Sequence, residues 1–398
     1  MTQAHAERAH ALLSASGAER WIECPPSARL TEGIADKRSE YADEGTTAHE
    51  LAEIKLRRRI LPCDSIQRAE LDKRLEQLKA GPYYGPEMEN AVQDYVDLVE
   101  ERFMAAKARS PDAVAQLEER LDLTEWVPEA FGTGDVVLIA DGVMEIIDLK
   151  YGKGVPVSAH DNPQIRLYGL GAWSAYSYLY DIQEIHMTIV QPRLDSISTD
   201  AMRVDELLEW AETVVKPAAS LAFAGEGAFK SGDHCRWCKV KATCRARADA
   251  NMAALEYEFR DPRLFSLEEI GSILTIAEQL AVWAKDVSSY AFDQAKAGHK
   301  VPGWKLVSGR SNRTIADKDC AWKVFEEAKI DTDKYLKPRE LLGIGELEKR
   351  IGKKELGKLV GDLITKPPGK PVLVVETDLR PELNGIDADF ANEDFDPE

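Results

Sequence analysis

The chain lacks any apolar run near the roughly 20 residues that a membrane helix needs, so no membrane span is expected. Its start, "MTQAHAERAHALLSASGAERW", has no basic stretch leading into an apolar one. No signal peptide is expected, and the reading places the protein in the cytoplasm. Cysteine is scarce, at six in 398 residues. In a cytoplasmic chain such cysteines point to metal before disulfide. Basic residues are outnumbered, 51 Lys and Arg against 70 Asp and Glu, for a formal net charge of −19. This counts against indiscriminate adhesion to nucleic acid, though a local basic groove can still grip it. Part of the excess sits in Glu376–Glu398, where nine acids face one Arg, and this segment reads as a solvated, flexible tail. No internal repeat is visible.

What is present is enough for a folded body: 44% hydrophobic residues, eight Trp and twelve Tyr. "DEGTTAHELAEIKLRRRI" is expected to be helical from about Thr46, and residues 62–85 to be mixed. Met88, Val92, Tyr95, Val96, Val99 and Phe103 recur at three and four, the stripe of a helix beginning at Pro86. Strands are expected at Gln116–Leu123, with Leu117, Leu121 and Leu123 at even spacing, at Gly134–Ala140, and again from Val143. Asn162 and Pro163 open a helix as N-cap and N1. "EIHMTIVQP" is a further strand, and the helix from Val204 is interrupted near Pro217. Ser266 and Glu269 form a capping box for a long amphipathic helix ending near Gly298. The pattern is α/β, a mixed central sheet flanked by helices with a helical C-terminal extension. Three parts are expected: 1–255, 256–375 and the tail 376–398.

The central hairpin can be read by register. With Asp141-Gly142 as a two-residue turn, Ala140 pairs with Val143 and Asp135 falls opposite Asp148. Directly opposed side chains have Cβ atoms roughly 4.5–5.5 Å apart. Two carboxylates that close are tolerable when one is protonated or a cation lies between them. Lys150 is two residues beyond Asp148, hence on the same face. Two carboxylates holding Mg²⁺ or Mn²⁺, with a lysine at a scissile phosphate, account for all three. So does a plain Asp–Lys ion pair at a strand end. Gln164 and Tyr168 share a helix face at i and i+4, and His49 lies in the first long helix.

"HCRWCKVKATC" holds Cys235, Cys238 and Cys244 within ten residues, a strong metal signal for zinc or iron–sulfur. Cys24 is the candidate fourth ligand. A second C-x2-C knuckle, as in a paired zinc ribbon, is missing. This favours an iron–sulfur cluster, with zinc as the alternative, clamping the first 25 residues to position 240. Cys63 and Cys320 read as ordinary residues.

With these residues assembled, the chain resembles the iron–sulfur RecB-like branch of the PD-(D/E)XK nucleases, which includes AddB and the CRISPR adaptation nucleases. It is most similar to a phage and prophage family of RecB-like proteins of unknown function. The motifs span roughly residues 14–250: His49 in "TTAHEL", Asp135 in "GTGDVVLI", Asp148-Leu149-Lys150 in "IIDLKYGKG", Gln164 and Tyr168 in "NPQIRLYG", and the four cysteines. The acidic motif reads "GTGD" in place of "PD". The resemblance implies a restriction-endonuclease-like fold over 1–255 and a Mg²⁺- or Mn²⁺-dependent DNase, an exonuclease yielding single-stranded DNA for recombination or replication. It implies catalytic Asp135, Asp148, Lys150, Gln164 and Tyr168. Metal would be held by His49, Asp135, Asp148 and the backbone carbonyl of Leu149. A [4Fe–4S] cluster on Cys24, Cys235, Cys238 and Cys244 would staple the fold. The implied partners are DNA and a phage single-strand annealing or single-strand binding protein, in the host cytoplasm.

Arg310, Arg313, Lys349, Arg350, Lys353 and Lys354 are candidates for tracking the DNA backbone, or else make a solvated helix face. Two other functions stand beside the nuclease. One is a catalytically silent DNA-binding recombination scaffold. The other is a zinc-stapled interaction protein.

Overall fold

The computed structural model describes residues 11–35, 40–253, 266–305 and 352–360, with the single positions 327, 345, 347 and 350. The chain divides into two units, Met1–Ser266 and Leu267–Glu398.

The first unit begins with two short helices, α1 (Ala18–Glu23) and α2 (Ser27–Leu30). Three long ones follow: α3 (Glu40–Ile60), α4 (Ser65–Lys79) and α5 (Pro86–Arg109). Helix α3 starts at Glu40, a turn and a half before the expected Thr46. Helix α4 stands where mixed structure was expected, and its start is explicit: the Asp64 carboxylate accepts from the Ile66 and Gln67 amides, and Gln67 accepts from the Asp64 amide. The α5 stripe is buried as its spacing predicts.

Then come β1 (Val114–Asp122), β2 (Phe131–Ala140) and β3 (Gly142–Leu149), paired antiparallel in sequence. Helix α6 (Pro163–Tyr176) crosses over, capped by Asn162, and returns the chain to β4 (Ile182–Gln191), parallel to β3. Strand β5 (Ser196–Arg203) closes the five-stranded mixed sheet in the order β1-β2-β3-β4-β5. Helices α7 (Val204–Trp210) and α8 (Lys216–Ala224) are joined by one π turn, Ala211–Val215, so the interruption lies just before Pro217. Helix α9 (Arg245–Met252) ends the described part of this unit.

The sheet is buried on both faces. Helices α3, α4 and α5 cover one, against Val136, Leu138, Ile147 and Leu149. Helices α1, α6 and the α7–α8 pair cover the other, against Val137, Ile139, Met144 and Ile146. The alternation is the pleat's. It fails at one level. Leu117 buries toward α3–α5, but Leu121 and Leu123, of the same parity, bury toward α6. Glu118 lies between them with φ 53, a left-handed backbone that turns the strand over. Even spacing therefore does not keep these leucines on one face. Gly132 and Val136 of β2 divide the same way: a Cβ at Gly132 would lie 2.6 Å from the Tyr168 ring of α6, while Val136 belongs to the α3–α5 side.

In the second unit the described residues include α10 (Leu267–Lys296) and α11 (Lys353–Val360). No helix of the described residues is long and apolar enough to cross a membrane.

Candidate active site

The β2–β3 hairpin has the register expected of it. Ala140 pairs with Val143 and Val136 with Ile147, with Gly142 at φ 76 in the turn. Asp135 and Asp148 are the next positions out. Pleat parity then turns Asp148 and Lys150 toward α6, and Asn162 starts that helix so that Gln164 meets them. Lys150 Nζ is 2.9 Å from Asp148 Oδ2 and donates to Gln164 Oε1 at 3.1 Å. Gln164 Nε2 donates to the Tyr168 hydroxyl at 3.0 Å. A chain of contacts thus runs Asp148–Lys150–Gln164–Tyr168. Gly132 leaves the space that the Tyr168 ring fills.

Asp135, across the hairpin from Asp148, contacts a different set of groups. Its Oδ2 accepts from the Leu149 amide at 2.7 Å and lies 3.3 Å from His49 Nδ1. What the structure shows for Leu149 is this N–H contact. His49 reaches the sheet because α3 packs its Ala48, Leu51 and Ala52 against that layer. Glu118 lies across from Asp135 in the β1/β2 register, between Leu117↔Val136 and Glu119↔Gly134. One ligand atom from each of His49, Glu118 and Asp135 falls within 4.8 Å of the others. Two ligands about 2.1 Å from one small divalent ion are at most about 4.2 Å apart, so slight closure seats a cation here. Two carboxylates and one imidazole are a donor set for a divalent cation. Asp148 lies outside this three-residue set. Its Oδ2 is buried and lies 2.9 Å from Lys150 Nζ.

Sequence reasoning missed Glu118. Its signal was a carboxylate beside a buried leucine in the strand that pairs with β2. The β1 register and the left-handed turn were needed to see it.

The charges are arranged unequally. Burial raises Asp135, but the charge of His49 and the bonds from His49 and Leu149 outweigh it and hold the carboxyl below its usual range. Burial, with the nearby Asp135 charge, pushes Asp148 up despite Lys150. Burial works against a charged His49, yet Asp135, Asp148 and Glu118 raise it to about 9. Tyr168 is raised by burial and then by Asp148. Two facing carboxylates are thereby driven apart, one ionised and one inclined to keep its proton.

The cysteines form a second locality. Cys24, Cys235 and Cys238 are buried and Cys244 is half-buried, all as free thiols. His234 joins the first two: its Nε2 is 3.7 Å from Cys235 Sγ, and it also hydrogen-bonds Cys24. Burial raises Cys24 and Cys235, but His234 lowers both below the usual thiol value. Burial, with Cys235 and Cys244 nearby, raises Cys238. Tetrahedral zinc at about 2.3 Å from each sulfur needs sulfurs about 3.8 Å apart. Among the described residues no three cysteine sulfurs gather within 4.8 Å of one another. The donor set is soft, with His234 joining Cys24 to Cys235 at the 235–244 turn.

The remaining candidates divide. Arg310, Arg313, Lys349 and Cys320 lie outside the described residues, as does the tail 376–398. Arg350 is helical and exposed, and Lys353 and Lys354 are exposed on α11. Cys63 is half-buried and donates to the Arg57 carbonyl at 3.2 Å, an ordinary packing role.

A solved structure named "Crystal structure of SSO0001" is 15% identical, with 57% of this chain and 96% of that one covered and a TM-score of 0.21. The family described as "Protein of unknown function (DUF2800)" matches residues 10–381, and the chain belongs to that family.

Proposed function

We propose that the chain is a Mg²⁺- or Mn²⁺-dependent deoxyribonuclease with a restriction-endonuclease-like, RecB-like domain, acting as an exonuclease that leaves single-stranded DNA. The observation that carries this is Lys150, its ammonium 2.9 Å from Asp148 and 3.1 Å from Gln164 beside the His49–Glu118–Asp135 set. A lysine with an acidic cation site at the end of a rigid apolar strand suits phosphodiester hydrolysis.

His49, Glu118 and Asp135 would hold the cation, with Asp148 and the Leu149 carbonyl at its edge. A divalent ion there would neutralise phosphate charge and acidify a water. Lys150 places a positive charge where negative charge develops on the phosphate oxygens. Gln164 fixes that ammonium through its Oε1, and Tyr168 fixes Gln164 through its hydroxyl. Asp135 orients His49 and takes the Leu149 amide, which pins the strand end in place. The four cysteines would carry a [4Fe–4S] cluster as a staple between the first 25 residues and the 235–244 turn. A single-strand annealing or binding protein would receive the product.

The test is digestion of end-labelled single- and double-stranded DNA with Mg²⁺ or Mn²⁺, comparing wild type with Asp148→Ala. Cation-dependent release of labelled product by wild type alone supports the proposal. No cleavage by wild type, or equal cleavage by both, sinks it.

A further inference from the structure

A cleft of about 500 Å³ opens at Lys150 and Gln164 and runs to Asp233, Arg236 and Trp237. A second, of about 480 Å³, is lined by Arg20, His234, Trp237 and Lys239. Ser16, Glu19 and Trp237 line both, so Trp237 stands where the two meet. Its side chain is 66% exposed, although Cys235 and Cys238 beside it are buried. The turn Asp233–Trp237 is therefore anchored around Trp237 while the indole is held out to solvent. An aromatic so placed adds little to the core and offers a fixed π face. The Arg236 guanidinium lies 5.6 Å from the ring centroid, at cation–π distance.

We propose that Trp237, backed by Arg236, is a stacking platform for an unpaired base on the strand leading away from Lys150. This rests on the nuclease reading of the site and adds the form of its substrate. The cleft begins at the catalytic lysine, so the neighbours of a phosphate held there enter this path. Clefts of this size accommodate about one or two nucleotides each, within the roughly 300–1,000 Å³ of small-molecule sites. Lys150 and Arg236 line the first cleft and Arg20 and Lys239 the second, and these cations supply charge for phosphates. Glu19, Glu32, Asp161 and Asp233 also line the two clefts. Carboxylates oppose an unbroken run of phosphates but accept from the N–H groups that unpaired bases expose, the N3–H of thymine included. Only an unpaired base can offer its face to an indole.

Binding of a labelled oligothymidylate to the full-length protein, without divalent cations, is expected to weaken roughly tenfold in Trp237→Ala and to recover in Trp237→Phe. A covalently closed circular DNA duplex, which has no unpaired base, is expected to bind wild type and Trp237→Ala alike. An oligonucleotide carrying 5-iodouracil is expected to photocrosslink to the peptide containing Trp237 in the wild-type protein. Unchanged single-strand affinity in Trp237→Ala, an equal loss in the Phe variant, an equal loss for the closed circular duplex, or a crosslink mapping elsewhere overturns the platform. The crosslink needs no variant, so it decides the matter even where Trp237→Ala fails to fold. DNA cleavage by wild type with unaltered binding in Trp237→Ala removes the platform and leaves the nuclease standing. Binding through Trp237 without any cleavage removes the nuclease and leaves the platform.

Discussion

His49 Nδ1 lies 3.3 Å from Asp135 Oδ2, which joins a helix of one layer to the strand end that carries the site. Helix α3 thereby contributes to a centre whose other members come from the sheet and from α6.

That contact makes the site sensitive to pH. His49 is raised from 6.5 to about 9 in the folded chain. A raised histidine contributes stability that is fully present below pH 6.5 and is lost as pH rises toward about 9. Cation binding requires the neutral imidazole and so releases this proton. Mn²⁺ affinity is expected to rise up to about tenfold per pH unit from about pH 7 to about pH 9, then level off. Titrations followed by electron paramagnetic resonance check this, and His49→Ala is expected to flatten the profile.

Glu118 offers a separation of backbone from ligand. A non-glycine residue at φ 53 carries a backbone cost of about 1 kcal/mol, which glycine avoids. Glu118→Gly is expected to be as stable as wild type in urea, or more so, while binding Mn²⁺ about tenfold more weakly. Loss of stability with unaltered Mn²⁺ affinity would show Glu118 to be a packing residue.

Lys150→Ala and Asp148→Ala are each expected to reduce DNA cleavage by about a hundredfold or more, the scale for removing a group that stabilises developing charge. Circular dichroism is expected to show the fold retained. Gln164→Ala acts through the lysine, so its loss is expected to be smaller than that of Lys150→Ala and absent in the Lys150→Ala background.

Gly132→Ala places a methyl group 2.6 Å from the Tyr168 ring. Overpacking of this kind costs about 1–3 kcal/mol. Denaturant unfolding is expected to show that loss, with reduced cleavage because the displaced phenol no longer holds Gln164. A combined Gly132→Ala, Tyr168→Leu protein is expected to regain stability without regaining activity.

Anaerobically purified protein is expected to absorb near 400 nm, and Cys24→Ala or Cys238→Ala to abolish that band. Residues 11–35 have other anchors: Trp21 is fully buried and Arg29 Nε donates to the Phe223 carbonyl at 2.7 Å. The variants are therefore expected to keep the sheet fold but to be cut faster within residues 11–35 in limited proteolysis. A colourless wild-type protein with stoichiometric zinc would replace the cluster by zinc.

Much of this was legible in the sequence because it depends on neighbours along the chain. The Asp141-Gly142 turn sets the β2–β3 register, the pleat sets which face Asp148 and Lys150 share, and helical spacing sets Gln164 beside Tyr168. The α4 helix was less legible, since polar residues surround its buried Leu71, Leu75 and Leu78 and its capping box begins with Asp64. The even spacing of Leu117, Leu121 and Leu123 marked the strand but not which face each leucine takes, because Glu118 breaks the regular backbone between them.

The sequence by itself determined the charged hairpin end, the capped helix after it and the compact cysteine run, since turn chemistry, pleat and helix pitch act within a few residues. The tertiary structure decided the rest: that His49 of α3 meets Asp135, that Glu118 joins them, and that Cys24 lies with Cys235 at His234. Those contacts depend on how α3, β1 and the N-terminal helices pack across the sheet. Such packing is set by the burial of whole faces and has no local period to read.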